Sequence, residues 1–235
     1  MSIGTNNESS LHRDLKFRYA GQGGETEAEV GGFVADGINA EGEYIEVQTG
    51  SFAPLMKKAL ALPGRMRVIH PVIISKYIEV FNKKGKLQYR RKSPRKGQPW
   101  DLFNVLVYAP DLPLIPGLVI ELALVDAAEQ RVQDGKGSWR RHGVSIRDRQ
   151  MLALHDRITL EKPSDYNRFV PFKKNEEFTS ALLAQKAGVQ VDLARKTLYV
   201  LARLGVVKKT GKQGNALVYT REGVRVRGSG FGERC

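Results

Sequence analysis

The stretch VADGINAEGEYIEVQTGSF, residues 34–52, places Asp36, Glu46 and Gln48 on what reads as one short β-hairpin. Side chains alternate between the faces of a strand, so Glu46 and Gln48 share a face, and the turn brings Asp36 opposite Glu46. Two carboxylates that close repel each other, and each is pushed toward protonation. A divalent cation removes that penalty, and oxygen donors, including the Val47 carbonyl, suit Mg²⁺ or Mn²⁺. The chemistry indicated is metal-assisted attack of water on a phosphodiester.

The same three residues also fit an ordinary hairpin. In that interpretation Asp36 is a turn residue at the end of a strand, and Glu46 and Gln48 form a solvated strand face. The segments ADGI and YIEVQTG are flanked by apolar residues suited to a covered strand, which favours the metal site.

The order of an Asp, roughly ten residues and a Glu-x-Lys, preceded by a helix that bears a Glu, is the signature of the PD-(D/E)xK nuclease superfamily. VADGI resembles the first metal-binding segment of that superfamily, and YIEVQ resembles its Glu-x-Lys strand. The superfamily includes restriction enzymes, archaeal Holliday-junction resolvases and transposon end-cleaving subunits. The resemblance implies that Asp36 and Glu46 bind Mg²⁺ and that Gln48 sits in the place of the lysine. It covers about residues 5–125.

Glu8 would match the helical acid of the superfamily; the alternatives for that role are Glu27 and Glu29. Gln48 departs from the pattern, because an amide can orient water by hydrogen bonds but adds no positive charge. Lys57, Lys58 or a residue of the basic loop described below could supply that charge, and the sequence does not choose among them.

Alternating helices and strands must position these residues. Leu11, Leu15 and Tyr19 predict a helix over 9–20, capped by Ser9 or Ser10. The further predictions are a strand ETEAEVGGFVADGIN with a bend at Gly31-Gly32, a turn at 39–42, a strand EYIEVQTG, a helix over about 51–62, strands RMRVIHPVIIS and KYIEVF with an interruption at Pro71, a helix WDLFNVLVYAP, a buried strand LVIELALVDAAE and a helix RDRQMLALHDR.

The predicted fold class is α/β in two domains. Residues 1–160 form a restriction-endonuclease-like mixed sheet flanked by helices, and residues 161–235 form a small α+β domain. In the second domain, helices capped by Thr179 or Ser180 and by Asp192 are followed by two strands around KKTGKQGN. This order is similar to a winged helix-turn-helix, with 192–204 as recognition helix and 208–215 as wing.

Two basic segments are predicted to bind DNA. The polar loop NKKGKLQYRRKSPRKGQ, residues 82–98, has eight Lys and Arg and no acid. Phosphate contacts from such residues give salt-sensitive, mostly sequence-independent affinity. The predicted DNA-binding residues are Lys83, Lys84, Arg90, Arg91 and Arg95 of the loop, Arg195, Lys196 and Arg203 of the recognition helix, and Lys208, Lys209 and Lys212 of the wing. The alternatives are a mobile loop tip without a partner, and a C-terminal domain that docks a protein or only caps the fold.

Composition narrows the classes of partner and compartment. The chain has 38 Lys and Arg against 25 Asp and Glu, a net charge of +13, which favours a polyanionic partner such as nucleic acid. The lone Cys235 excludes a disulfide framework and a thiolate zinc site. No segment resembles a membrane span or a signal peptide, so a cytoplasmic protein without a membrane partner is expected. The four histidines, His12, His70, His142 and His155, lack metal-ligand spacing and are predicted to be structural.

Three functions are therefore in contention. The first is a Mg²⁺-dependent DNA endonuclease, a hydrolase, whose catalytic residues are Asp36, Glu46, Gln48 and Glu8. The second is a DNA-binding or regulatory protein with a degenerate nuclease core, and the third is an RNA-processing nuclease with the same site. A homodimer or a partner subunit is compatible with each of them.

Overall fold

A large mixed sheet dominates the computed structural model, which describes residues 8–21, 23–62, 64–141 and 143–222. The first half of the chain is a helix, three strands, a second helix and a fourth strand. Their bounds are α1 Ser10–Ala20, β1 Glu25–Val30, β2 Phe33–Ile38, β3 Tyr44–Val47, α2 Leu55–Ala61 and β4 Met66–Phe81. The remaining elements up to residue 160 are β5 Leu87–Lys92, α3 Phe103–Leu106, β6 Leu118–Gln133 and β7 Val144–Leu160.

The strand order in this sheet is β1-β2-β3-β4-β6-β7, and β5 also pairs with β4. β3 runs parallel to β4, and β4 runs parallel to β6, while the other pairs are antiparallel. The parallel connection from β3 to β4 passes through α2, as a parallel pair requires a crossover. The protein is therefore a mixed α/β fold with helices against its sheet.

Helix α1 covers one face of the sheet. Ser9 caps it, accepting a hydrogen bond from the His12 N–H, as the sequence predicts. Leu11 and Leu15 are buried against apolar side chains of the neighbouring strands, namely Ile45, Val47, Ile69, Ala123 and Val125. A loss of either leucine would leave a cavity between α1 and the sheet.

The opposite face carries the larger core. Phe52 and Leu55 near α2, Phe103 and Leu106 of α3, and the strand residues Val68 and Ile120 all belong to it. This core continues without a break past residue 160, because Tyr166, Phe169 and Leu198 are part of the same cluster. The predicted boundary at 160 therefore falls between segments that share one hydrophobic core.

The C-terminal third is a small unit of two helices and three strands. Its elements are β8 Glu177–Thr179, α4 Ser180–Ala187, α5 Val191–Arg203, β9 Val207–Gln213 and β10 Ala216–Arg221. The sheet is antiparallel with the order β8-β10-β9. Thr179 caps α4, and Gly188 ends it in the left-handed region at φ 66°. Gln190, not Asp192, is the N-cap of α5; Asp192 lies in its first turn.

Several predicted elements change in the structure. The predicted strand over 25–39 is a hairpin, since Gly31 and Gly32 both have positive φ and form its turn. The loop 82–98 contains a strand, β5, which pairs with the end of β4. β4 continues through Pro71, two residues beyond Ile69, whose carbonyl accepts from the Gln48 N–H. The nitrogen of Pro71 points to the same side of β4 as Ile69, toward β3. Because β3 ends at Val47, Pro71 has no strand partner on that side, and the missing N–H costs no hydrogen bond between strands.

The segment RDRQMLALHDR is a strand and not the predicted helix. It lies within β7, which pairs with β6 from Ile120–Leu160 to Gln133–Val144. Pairing along so long a partner outweighs the local preference of Arg, Gln, Met, Leu and Ala for helix. Among the residues that the structure describes, no helix is both long and apolar enough to cross a lipid bilayer.

Candidate active site

The predicted site lies where β2 and β3 separate. These strands pair only at Gly37–Ile45 and Ile38–Tyr44. One residue further, the Asp36 carboxylate takes the place of a backbone partner: its Oδ2 accepts the Val47 N–H at 2.8 Å. The structure thus places the Asp36 carboxylate against the backbone of Val47, the residue after Glu46. We call this place, where β2 and β3 no longer pair, the β2–β3 gap.

Helix α1 adds charged groups from one side of this gap. The His12 Nε2 lies 3.1 Å from Asp36 Oδ2 and 3.5 Å from Glu8 Oε1. One helical turn later, the Lys16 ammonium is 3.2 Å from both Glu8 and Glu27 and is almost fully buried. Glu8, which precedes α1 and its N-cap Ser9, therefore contacts two residues of this cluster; its role as the helical acid stays a prediction. Glu27 reaches Lys16 as well, and the alternative Glu29 is exposed.

Helix α2 adds a lysine to the other carboxylate. The Lys58 ammonium forms an ion pair with Glu46 and also donates to the Val34 carbonyl. Only 9 % of the Glu46 side chain and 13 % of the Lys58 side chain are exposed. Glu46 is therefore not part of a solvated strand face, and the structure selects Lys58 over its exposed neighbour Lys57 as the cation beside the acids.

Gln48 forms a hydrogen bond with the loop that leads into α2. Its side-chain amide donates to the Ser51 carbonyl, and its backbone carbonyl accepts from the His70 Nδ1 at 2.7 Å. His70 is buried and packs edge-on against Phe52, 5.4 Å between ring centroids. Burial lowers the pKa of His70, which holds the ring neutral. Gln48 directly follows the last residue of β3, and its amide hydrogen bond is directed to the loop and not to the acids.

Asp36 is held ionised. Burial alone would raise its pKa, but the hydrogen bonds from His12 and from the Val47 N–H outweigh burial, and the pKa lies below the ordinary value of 3.8. In Lys16 burial likewise opposes the charge, and the hydrogen bonds to Glu8 and Glu27 prevail, so its pKa is raised. Asp36 and Lys16 are thus both charged at neutral pH.

This shift makes a prediction for stability against pH. Because the pKa of Asp36 is lower in the folded than in the unfolded chain, its contribution is complete above about pH 4 and is lost as the pH falls through the folded value. Urea unfolding should show wild type losing stability relative to an Asp36→Asn variant below about pH 4. Parallel pH profiles for the two proteins would contradict the assignment of the hydrogen bonds.

The oxygen atoms of this cluster are of the chemical type that a hard divalent cation binds. The carboxylates of Glu8, Asp36 and Glu46 outnumber the lysines that face them, although Oε1 of Glu8 already lies 3.2 Å from the Lys16 ammonium. Oxygen donors with excess negative charge suit Mg²⁺. Within the described ranges, no three His, Cys, Asp or Glu side chains are grouped so that they could hold a metal ion; Lys58 and His12 contact the carboxylates. A divalent cation at this position would have to displace the Lys58 ammonium from Glu46.

The predicted DNA-binding residues of the basic segment lie along the β4–β5 hairpin and are exposed. Lys83 and Lys84 occupy its turn, Arg90 and Arg91 are on β5, and Arg95 follows it. Arg90 is engaged, with an ion pair of 3.4 Å to Glu79 and its guanidinium 4.5 Å from the Tyr77 ring centroid. The two turn lysines make no ion pair with any residue that the structure describes.

The cations of the C-terminal unit divide into two groups. Lys196 donates to Asn104 at 3.1 Å, and Arg203 forms a two-pronged contact with Asp111, so both tie α5 to the first half of the chain. Arg195 on α5 and the β9 lysines Lys208, Lys209 and Lys212 are exposed. Solvent therefore reaches Arg195 and the β9–β10 hairpin more freely than the α3-facing side of α5.

Sequence reasoning missed two members of the cluster. His12 is predicted to be structural, yet it contacts Asp36, and Lys16 is not singled out at all. The signal was present: Glu8, His12 and Lys16 are spaced four residues apart, which places charged side chains along one face of a helix. His142 lies outside the described residues.

Comparison with other sequences gives a relative and a family. An uncharacterized protein of Treponema pallidum (strain Nichols) is 28% identical over 225 residues, which cover 94% of this chain and 88% of that protein. No solved structure matches the chain. Residues 9–161, which carry α1, the β2–β3 gap and the whole large sheet, match the family model described as a domain of unknown function, DUF8091, and the chain belongs to that family.

Proposed function

We propose that the protein is a Mg²⁺- or Mn²⁺-dependent DNA endonuclease of the PD-(D/E)xK type. The observation that carries the proposal is the β2–β3 gap, where ionised Asp36 bonds to the Val47 N–H and the neighbouring Glu46 is paired with Lys58. Acidic side chains on two adjacent strands, with a cation beside one of them, suit metal-assisted hydrolysis of a phosphodiester.

The order of elements supports a restriction-endonuclease-like fold. A helix, three antiparallel strands, a crossover helix and a strand parallel to the third follow one another in α1, β1 to β3, α2 and β4. The candidate acids lie on the second and third of those strands, as the resemblance implies. Fold alone does not give an activity, so the proposal depends on the site.

Each side chain has a role in this proposal. Asp36, Glu46 and the Val47 carbonyl would hold the metal, and Glu8 would be a further carboxylate of the site; the bound ion would lower the pKa of an attacking water and offset charge on the phosphodiester. Lys58 supplies the positive charge that Gln48 lacks. His12 positions the Asp36 carboxylate through its Nε2 contact.

DNA would be held by the exposed cations outside the cluster. Lys83 and Lys84 of the hairpin turn have no acidic partner in the described residues, so their charge is available to phosphates. The α4–α5–β9–β10 unit has the element order of a winged helix, and its exposed Arg195 and wing lysines suit DNA. Lys196 and Arg203 would contribute less, because Asn104 and Asp111 engage them. The expected compartment is the cytoplasm, and a homodimer or partner subunit is compatible with the proposal.

A second candidate is a DNA-binding protein whose nuclease core does not cleave. The Glu46–Lys58 ion pair favours it, because the pair already neutralises the acid that would hold the metal. In this alternative Asp36 and Glu46 stabilise the fold, and the basic hairpin and the C-terminal unit perform the function.

Incubation of supercoiled plasmid with the protein and Mg²⁺ or Mn²⁺, beside a reaction with chelator, separates the two candidates. The endonuclease proposal expects nicked or linear products only when metal is present. Retarded but intact plasmid under all conditions, over a range of DNA sequences, would favour the non-catalytic alternative. A competing structured RNA in the same reaction tests the RNA-processing alternative, which expects the RNA to be consumed first.

A further inference from the structure

The far end of the large sheet carries a second charged surface with an exposed aromatic ring. β4 and β6 are parallel and in register to Phe81–Val132, so the turn 82–86 and the segment 134–141 extend from the same end of the sheet. We call these two segments the sheet tip. β4 rises about 3.3 Å per residue, so the tip lies roughly 40 Å along β4 from Val68, the partner of Glu46.

Trp139 is the most exposed large apolar residue in the described part of the chain, with 82% of it accessible. It lies in a short 3-10 turn, Trp139–Arg141, and the Arg140 guanidinium is 5.6 Å from its ring centroid. Arg140 is the cation–π partner of the ring, and most of the indole surface remains open to a ligand.

Hydrogen bonds hold the base of the segment that carries Trp139. Asp134 accepts from the Lys136 N–H at 2.9 Å and from the Ser145 hydroxyl at 2.8 Å. The Gly137 N–H donates to the Gly143 carbonyl at 3.1 Å. A β-carbon at Gly137 would come within 1.9 Å of the Val144 carbonyl oxygen, so only glycine allows this close approach. The backbone thus fixes the base of the tip while the ring projects from it.

Both segments of the sheet tip carry positive charge. Lys83, Lys84 and Lys86 of the turn 82–86 and Lys136 of the segment 134–141 are exposed, and none of them forms an ion pair with a described residue. Asp134 is the acid of the latter segment, and the contacts given above engage it. An exposed aromatic face together with unpaired cations is the arrangement that binds stacked bases and their phosphates.

We propose that the sheet tip binds single-stranded or locally unpaired nucleic acid, with Trp139 stacked on a base and the lysines of the tip on its phosphates. An anionic membrane would also attract the lysines. The chain neighbours of the ring, however, are glycines, a serine and cations, and the exposed apolar side chains of the adjacent strand β5 are Leu87 and Tyr89, which alternate with exposed cations and Gln88; this favours a nucleobase over insertion into lipid. The surface does not depend on cleavage, because it lies far from the β2–β3 gap.

Binding of labelled oligothymidine, measured by fluorescence anisotropy in chelator, tests the proposal independently of any nuclease activity. Trp139→Ala should weaken binding about tenfold or more, and Trp139→Phe, which keeps an aromatic face, should retain most of the affinity. Tyr108→Ala is the matched control, since Tyr108 is an exposed aromatic residue (67%) outside the tip, and it should leave binding unchanged. Unchanged affinity in Trp139→Ala overturns the proposal, as does Trp139-dependent binding to anionic lipid vesicles without binding to oligothymidine.

Salt dependence tests the contribution of the lysines. Replacing Lys83, Lys84 and Lys86 together by glutamine should reduce the slope of log affinity against log salt by about 2, since each phosphate contact on a single strand contributes about 0.7. An unchanged slope would show that these lysines do not contact the strand and would overturn the proposed surface.

Discussion

An Asp36→Asn variant is expected to lose at least about a thousandfold in metal-dependent plasmid cleavage. Asparagine has nearly the shape of aspartate, and its carbonyl oxygen can still accept from the Val47 N–H. What it removes is the negative charge that would hold the metal, a contribution of several kcal/mol to the transition state, and each 1.36 kcal/mol is a factor of about ten in rate. Rates are compared as nicking of supercoiled plasmid at equal concentrations of folded protein.

Asp126→Asn is the matched control for this substitution. The Asp126 carboxylate faces His155 Nε2 at 3.1 Å, and 24% of its side chain is exposed, the same distance and exposure as in the pair of Asp36 with His12. It lies on β6, however, with β4 between it and β3. Cleavage by Asp126→Asn should match wild type. Equal rates for wild type and Asp36→Asn would mean that any nuclease activity has another source.

A Lys58→Met variant should lose both stability and activity. Methionine keeps much of the apolar stem but leaves the Glu46 carboxylate buried without its partner, which costs about 3 kcal/mol or more in the free energy of unfolding. If Lys58 also stabilises charge in the transition state, cleavage by the folded fraction should fall about a hundredfold. Urea unfolding and plasmid nicking measure the two effects separately.

Two further variants show whether the effects of Lys58→Met come from the lost ion pair with Glu46. Lys57→Met removes the exposed neighbouring lysine and should change neither quantity by much. Adding Glu46→Gln to Lys58→Met removes the unpaired charge and should recover much of the lost stability, without recovering cleavage. A Lys58→Met protein as stable as wild type would contradict the buried ion pair. A loss of stability without a loss of cleavage would leave Lys58 a purely structural role.

Local signals predicted much of the framework. Ser9 before Leu11 and Leu15 gave α1, and Thr179 before an apolar run gave α4, because caps and helical spacing are properties of neighbouring residues. The buried strand LVIELALVDAAE is part of β6. The family match ends at residue 161, but one hydrophobic core continues past that point, so the boundary at 160 stays a prediction.

The errors arise where distant segments decide the structure. The segment 147–157 became part of β7 through its pairing with β6, a partner that local composition does not identify. The motif that predicts Asp36 and Glu46 as neighbours spans only one turn of a hairpin, so local sequence is enough to identify it. The Glu46–Lys58 ion pair joins a strand to a later helix, and the sequence could not choose between Lys57 and Lys58. Trp139 gave no signal, because only the structure shows that its ring is exposed.

A crystal soaked in Mn²⁺ and examined for anomalous density tests the central claim most directly. We expect a peak within coordination distance of the Asp36 and Glu46 carboxylates, with the Lys58 ammonium moved away from Glu46. A fully soaked crystal with no peak in the β2–β3 gap, and with Lys58 still paired with Glu46, would contradict the proposed metal site.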